Sequence, residues 1–331
     1  MTRPLEPPAV SVIIAVYNGA GWVGGAVKSA LSQTLPVEVI VVDDASTDET
    51  LSAVEAAGQG DPRLKVLRQP ANAGPSAARN RALAEARALW IAPLDADDRM
   101  SPDRLERLHA LAVQHGWDLV GDDLWRLSDW HRPDAARRHW RDTDIGVMEL
   151  GFARFCRENL FTVCGSGREL GFLKPLMRRD FLVRHKLTYD PGMRLGEDFD
   201  LYARALLSGA RFGLVDPQGY WAYETPGSLS KQHKAAVLEQ VYRADKRLLA
   251  NHPLTGEDRA ALLAHMRLSL RKWVWVRMIE AVKARDPVTF AACWASPPHV
   301  WAELTTKLWA HFQAKSVRKP EGLEISNQGR M

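Results

Sequence analysis

Three acidic groups in the sequence have types and spacings that could do chemistry: Asp43-Asp44, Asp95-Ala96-Asp97-Asp98 and Glu197-Asp198. Clustered carboxylates repel one another unless a cation or hydrogen-bond donors neutralise them. Hard oxygen ligands select Mg2+ or Mn2+, ions that keep several waters and bridge to phosphates. In the second group, two ligand positions one residue apart let one carboxylate take a metal while the other reaches a ribose hydroxyl. The plain alternative is a helix cap, since Ser101-Pro102-Asp103 opens a helix directly afterwards. Asp43-Asp44 ends an apolar run, where acids in α/β folds accept hydrogen bonds from a nucleoside. Its alternative is a turn, because Ala45-Ser46-Thr47-Asp48 could open the next helix. Glu197-Asp198 opens a helix after Leu195-Gly196. It reads either as a general base for a hydroxyl or as acids complementing the helix dipole, and spacing alone does not choose. Asn72 to Asn80 opens a helix through Gly74-Pro75, with Arg79 one turn inside. That N-terminus could face an anion, or Arg79 could be a solvated surface residue.

These groups need elements to position them. VSVIIAV (10–16) and VEVIVVD (37–43) are nearly continuous β-branched runs, the pattern of strands buried on both faces of a parallel sheet. Leu64 to Leu67 and WIAPL (90–94) predict two more strands. Helices are predicted between them, with Val23, Val27, Ala30 and Leu31 on one stripe, from Ser46 to Gly58 with Thr47 and Asp48 as caps, and from Pro75 to Ala88. Strands alternating with helices of this size mean βαβ units and an open, mostly parallel α/β sheet with helices on both faces. In such sheets ligands bind at the carboxyl ends of the strands, which is where the acids lie.

Asp103 to Gln114 predicts a further helix and Asp118 to Val120 a further strand. The stretch 122–144 loses periodicity and reads as a sheet edge plus a surface excursion, and 165–175 as a glycine-bearing loop. After Ser230 the chain becomes helical: segments 235–250, 258–284 and 300–314 are separated by Pro253, Pro287 and Pro297-Pro298. The expected organisation is an α/β domain at 1–230, a helical subdomain at 231–315 and a disordered tail at 316–331.

With 331 residues, 46% hydrophobic and 25% charged, the chain has the composition of a soluble globular protein. No apolar run approaches the roughly 18 residues of a membrane span. MTRPLEPPAV lacks the layout of a signal peptide. Three scattered cysteines suggest neither a disulfide framework nor a zinc site, and a reducing cytoplasmic compartment fits best. The chain has neither a P-loop lysine nor a GxGxxG after its first strand, which weakens NTPase and dehydrogenase readings.

The net charge of +4 conceals a basic C-terminal third that also holds Trp273, Trp275, Trp294, Trp301 and Trp309. Basic residues mixed with tryptophan suit an interfacial helix on anionic lipid. Packing of those tryptophans into their own subdomain core, or against a second copy, is the alternative. The stretch 268–277 is the best membrane or dimer candidate. Nucleic-acid binding is not expected. His233 reads as a solvated histidine, or as one approaching the metal.

In order along the chain, VSVIIAVYNGA, VEVIVVDDASTDET, NAGPSAARNRAL, WIAPLDADDRMSPDRL and LGEDFDLYARAL resemble the family 2 glycosyltransferases, inverting enzymes of the GT-A fold. The resemblance spans Val10 to Leu207. It implies that Ala15 and Tyr17 line the nucleobase pocket and Asp44 binds the base. It implies that Asp95 faces the ribose or donor sugar, that Asp97 ligates Mn2+ or Mg2+ as the last position of a DxD motif, and that Asp198 is the catalytic base. Arg79 resembles a pocket arginine. The segment from Gly165 to Leu201 also resembles glucosyltransferases of succinoglycan-type exopolysaccharide assembly. That narrower likeness implies a UDP-glucose donor and a saccharide acceptor, lipid-linked at the cytoplasmic face of the membrane. The rival readings are a sugar-phosphate nucleotidyltransferase, which would want a basic glycine-rich loop where Tyr17-Asn18-Gly19-Ala20-Gly21 stands, and a catalytically silent glycan-binding protein on the same fold.

Overall fold

The computed structural model describes residues 6–160, 168–224 and 234–317, with side chains as far as 309. The first half alternates as the periodicity predicts: β1 (Val10–Val16), α1 (Val23–Leu31), β2 (Val37–Asp43), α2 (Thr50–Gly58), β3 (Leu64–Arg68), α3 (Pro75–Glu85) and β4 (Trp90–Pro93). Next come β5 (Arg99–Met100), α4 (Arg104–His115), β6 (Leu119–Asp122), β7 (Trp125–Leu127), β8 (Arg137–Arg138), β9 (Val147–Glu149) and α5 (Phe152–Arg157). The α/β part ends with β10 (Leu176–Arg178), α6 (Arg179–Arg184), α7 (Glu197–Leu207), β11 (Phe212–Val215) and β12 (Tyr220–Tyr223). Four helices follow, α8 (Ala235–Asn251), α9 (Gly256–Ala284), α10 (Pro287–Cys293) and α11 (Pro298–Val317).

The main sheet has the order β3-β2-β1-β4-β10-β6-β11-β9. The β3-β2, β2-β1, β1-β4 and β6-β11 pairings are parallel, whereas β10 runs antiparallel to both its neighbours. Every residue of β2 is buried, and β1 is buried apart from Ala15, as expected of strands covered on both faces. The order turns back at β1, which lies between β2 and β4, and in such sheets the ligand cleft lies at the strand ends beside that point. A second sheet, β5-β12-β7-β8, lies directly after the Asp95–Asp98 loop and accounts for the aperiodic stretch 122–144.

Two sequence expectations need correction. The second helix starts at Thr50 rather than Ser46, because Ser46, Asp48 and Thr50 bind the loop after β1 instead of capping a longer helix. The stretch 268–277 presents no exposed residue, and Leu268, Ser269, Leu270 and Val274 are buried. Trp273 stacks on Tyr242 at 5.6 Å, and Trp275 and Trp294 pack on a small core of Leu270, Val274, Met278, Cys293, Val300 and Leu304. Of the five tryptophans after Ser230, Trp301 and Trp309, both on α11, are the exposed ones. The main core extends past the sheet to Leu248 of α8 and Ala261 and Leu262 of α9. Cys156 and Cys293 are free and buried. Among the described residues no helix is long and apolar enough to cross a membrane. His233, Cys164 and the tail after Val317 lie outside the described residues.

Candidate active site

At the end of β1 the backbone enters the left-handed region at Asn18 (φ 50°) and carries the half-exposed Tyr17 (50%) outward. Hydrogen bonds tie this loop to the one after β2. The Asn18 amide donates to Ser46 Oγ at 2.9 Å, the Thr47 amide to Asn18 Oδ1 at 2.8 Å, and the Gly19 amide to Thr50 Oγ1 at 2.9 Å. A side chain at Gly19 would strike Val16, its Cβ lying 2.6 Å from Cγ2. Ala15 and Tyr17 therefore sit at a rigid strand end with Tyr17 open to a ligand.

Asp44, which the resemblance implies binds the base, also anchors the local backbone. Its carboxylate is buried, and it accepts hydrogen bonds from Gln69 Nε2 at 2.6 Å and from the amides of Ala73 and Gly74 at 2.9 and 2.8 Å. Three protein donors occupy it, so it holds the entrance of α3, where Gly74 has a φ of 89° that favours glycine.

Helix α3 then reaches across the cleft. Ser76 Oγ donates to the Met193 carbonyl at 2.9 Å, and Asn80 exchanges two hydrogen bonds with the backbone of Tyr189. This fixes the segment leading to Gly196, whose φ of 73° turns the chain into α7. The buried Arg79 guanidinium binds Asp95 Oδ1 at 2.8 Å and Glu197 Oε1 at 2.7 Å. Arg79 is an internal clamp here, not a solvated arginine.

Sequence reasoning missed Lys174. Its buried ammonium donates to Asp198 Oδ2 at 2.6 Å and lies 3.1 Å from Asp95 Oδ2. The available signal was a lone lysine within Leu173-Lys174-Pro175-Leu176, since a lysine in apolar surroundings is buried only when paired. Arg79 and Lys174 thus weld the end of β4 to the start of α7. Asp95 and Asp198, far apart in sequence, share one counter-ion. Asp198 Oδ2 is held, while its buried Oδ1 has no hydrogen-bond partner.

The charges reinforce one another. Burial disfavours the Arg79 and Lys174 cations, but Asp198 and Asp95 outweigh it and lift both above their ordinary values. Burial also pushes Asp95 upward, yet Lys174 and Arg79 bring its carboxyl down to about 2. The result is an ionised, water-poor cluster with fixed side chains, the kind of preorganised field that stabilises developing charge.

Asp98 is buried and serves the loop. It accepts from the Tyr220 hydroxyl at 2.7 Å and the Tyr223 amide at 2.8 Å, and the Tyr220 oxygen accepts the Asp95 amide at 3.2 Å. Burial, followed by the charges of Asp95 and Asp97, pushes the Asp98 carboxyl well above the usual range. That excess negative charge suits a divalent cation. Asp97 is the part-exposed member, and the described residues contain no group of three or more ligating side chains that could hold a metal alone. One carboxylate completed by waters and a substrate's phosphates is how Mg2+ or Mn2+ is ordinarily bound, so the residues fit.

Comparison with known proteins gives the family and the fold. Residues 11–164 match the family described as Glycosyl transferase family 2. The succinoglycan biosynthesis protein ExoU of Rhizobium meliloti (strain 1021) is 40% identical over 263 residues, covering 79% of this chain and 75% of ExoU. ExoO of the same organism is 32% identical over 281 residues, covering 84% of this chain and 79% of ExoO. Of solved structures, S. aureus TarS in complex with UDP-GlcNAc superposes with a TM-score of 0.63 at 18% identity, over 86% of this chain and 90% of that one. The mannosyltransferase PcManGT from Pyrobaculum calidifontis, in complex with GDP-Man and Mn2+, gives 0.58 at 20% identity over 96% and 83%. These likenesses establish the GT-A fold. From its strand-end acids to its relatives, the chain belongs to glycosyl transferase family 2 and is a glycosyltransferase.

Proposed function

We propose that the protein is an inverting hexosyltransferase that moves glucose from UDP-glucose to a saccharide acceptor in exopolysaccharide synthesis. The observation that carries this reading is Asp198. Lys174 holds one of its oxygens, and the other is buried, accepts no hydrogen bond and lies 3.9 Å from the Arg79 guanidinium, beside the sugar-side acid Asp95. A carboxylate so placed can take the proton of an acceptor hydroxyl. That oxygen then bonds to the anomeric carbon as the bond from that carbon to the diphosphate oxygen breaks. UDP departs, and the configuration inverts.

Tyr17 and Ala15 would flank the nucleobase, with Asp44 fixing the loop beside it. Asp95, oriented by Arg79 and Lys174, would face the ribose or donor sugar. Asp97 would hold the Mn2+ or Mg2+, which neutralises the charge that gathers on the departing diphosphate. The donor class is supported by the UDP-GlcNAc seen in TarS, and the metal by the Mn2+ in PcManGT. The names of ExoU and ExoO support an exopolysaccharide product. A lipid-linked acceptor at the cytoplasmic membrane face is part of this reading, with Trp301 and Trp309 as the exposed groups on α11 that would touch the bilayer surface.

A donor screen tests it. UDP release should be greatest with UDP-glucose and Mn2+ and fall to background with chelator. Metal-independent turnover, or preference for a guanosine diphosphate sugar, would overturn the reading. Flotation with anionic liposomes tests the membrane element, and protein left at the bottom of the gradient rejects it.

A further inference from the structure

The base does not stand on its own helix alone. Phe199, the residue after Asp198, lies buried between two rings. Phe155 of α5 stacks on one side at 5.2 Å and 12°, and His265 of α9 on the other at 4.2 Å and 14°. His265 Nδ1 faces Asp245 of α8, 2.9 and 3.1 Å from its two oxygens. A carboxylate accepts, so Nδ1 carries the proton and the ring plane is set by Asp245. Ser269 Oγ donates to the same carboxylate at 2.8 Å, and Asp245 is fully buried.

Helix α8 also touches the segment before the base. Gln240 Oε1 accepts the Arg194 amide at 3.2 Å, Arg247 pairs with Asp190 at 2.5 Å, and Val241 lies over Gly196. A buried carboxylate is costly unless fully hydrogen-bonded, and an apolar side chain would fill the same space without that cost. A hydrogen-bonded imidazole gives something an aliphatic side chain cannot, a flat face held at one tilt against Phe199.

We propose that His265, oriented by Asp245, is a positioning residue for the base Asp198, so that the C-terminal helices form part of the catalytic apparatus. The inference rests on the reading of Asp198 as base. His265 acts by fixing the first turn of α7, where a displacement of 1 Å is enough to cost about 10²-fold in rate. Asp245→Asn keeps an oxygen for Nδ1–H and Ser269, whereas Asp245→Leu keeps none.

A double-mutant cycle tests this, with UDP-glucose and Mn2+ as probes and rates counted per UDP-binding site so that misfolded protein does not enter. His265→Leu should lower turnover about ten- to a hundredfold at unchanged UDP affinity, yet change it less than about twofold in an Asp198→Asn background. Asp245→Leu should behave like His265→Leu, and Asp245→Asn should recover most of the turnover. Amide exchange across 197–201 should rise in His265→Leu, a readout that does not depend on activity. Unchanged turnover and exchange in His265→Leu, or a loss that multiplies with Asp198→Asn, would overturn the proposal. Normal turnover of Asp198→Asn by itself would instead remove the assignment of the base, and the exchange result would still stand.

Discussion

Lys174→Met removes the one ammonium that the buried Asp198 and the part-exposed Asp95 share. Lys174 Nζ lies 2.6 Å from Asp198 Oδ2 and 3.1 Å from Asp95 Oδ2, with 5% of its side chain exposed. Deleting one partner of a buried pair costs about 3–5 kcal/mol when the remaining charge is left unpaired; Arg79 still lies 2.8 Å from Asp95 Oδ1 and 3.9 Å from Asp198 Oδ1, which puts the loss toward the lower end of that range. The Asp95 side of the contact can be gauged separately. Its carboxyl is held from 3.8 down to about 2, and 31% of its side chain is exposed, so the electrostatic contribution is on the order of 2 kcal/mol, with Arg79 supplying part of it. The pH window follows from the signs. Asp95, lowered on folding, contributes fully above about pH 4 and loses its contribution as pH falls through about 2. Lys174, raised on folding, contributes fully below its ordinary value of 10.5 and loses its contribution only above it. The destabilisation should therefore be flat between about pH 5 and 9. Urea unfolding followed by tryptophan fluorescence, with wild type and variant at pH 5, 7 and 9, measures it. A loss below about 1 kcal/mol at pH 7, or one that varies across this range, would refute the shared counter-ion.

Asp198→Asn should lower turnover by about 10²–10⁴-fold while UDP still binds with Mn2+, and isothermal titration beside initial rates separates the two effects. Asp97→Ala should abolish the Mn2+-dependence of UDP affinity, and an unaltered metal response would remove Asp97 as the ligand. Glu169 gives a pH prediction away from the base. Burial pushes its carboxyl up to about 7, against the lowering pull of Lys272, His265 and Arg126. A carboxyl raised on folding takes a proton more readily in the native state, so stability should decline as pH climbs from 4.5 to about 7. Glu169→Gln should flatten that decline and leave the protein more stable at pH 8, by at most about 3 kcal/mol. A steeper pH dependence in the variant would show the sign to be wrong.

What sequence alone determined is the framework. Unbroken β-branched runs such as VSVIIAV and VEVIVVD have one low-energy use, a strand covered on both faces, and such strands joined by helices form a parallel sheet. Because ligands gather at strand ends, Asp44, Asp95 and Asp97 stood out as candidates before any coordinates, Asp198 stood out as one of two readings of a helix start, and Tyr17 came through the resemblance. Tertiary structure decided what each acid does. Asp44 and Asp98 accept hydrogen bonds from donors in 69–74 and in β12, partners that come from elsewhere in the chain. Lys174 stands in no motif, and only the meeting of β4 with α7 gives its charge a purpose. The tryptophans after Ser230 read by composition either as a membrane face or as a subdomain core, and α8 to α11 pack three of the five, partly buried, against a small core of their own. Local pattern reports which face of an element is apolar. Which element covers that face, and which distant charge pairs with a given carboxylate, depends on long-range packing that no window of sequence contains.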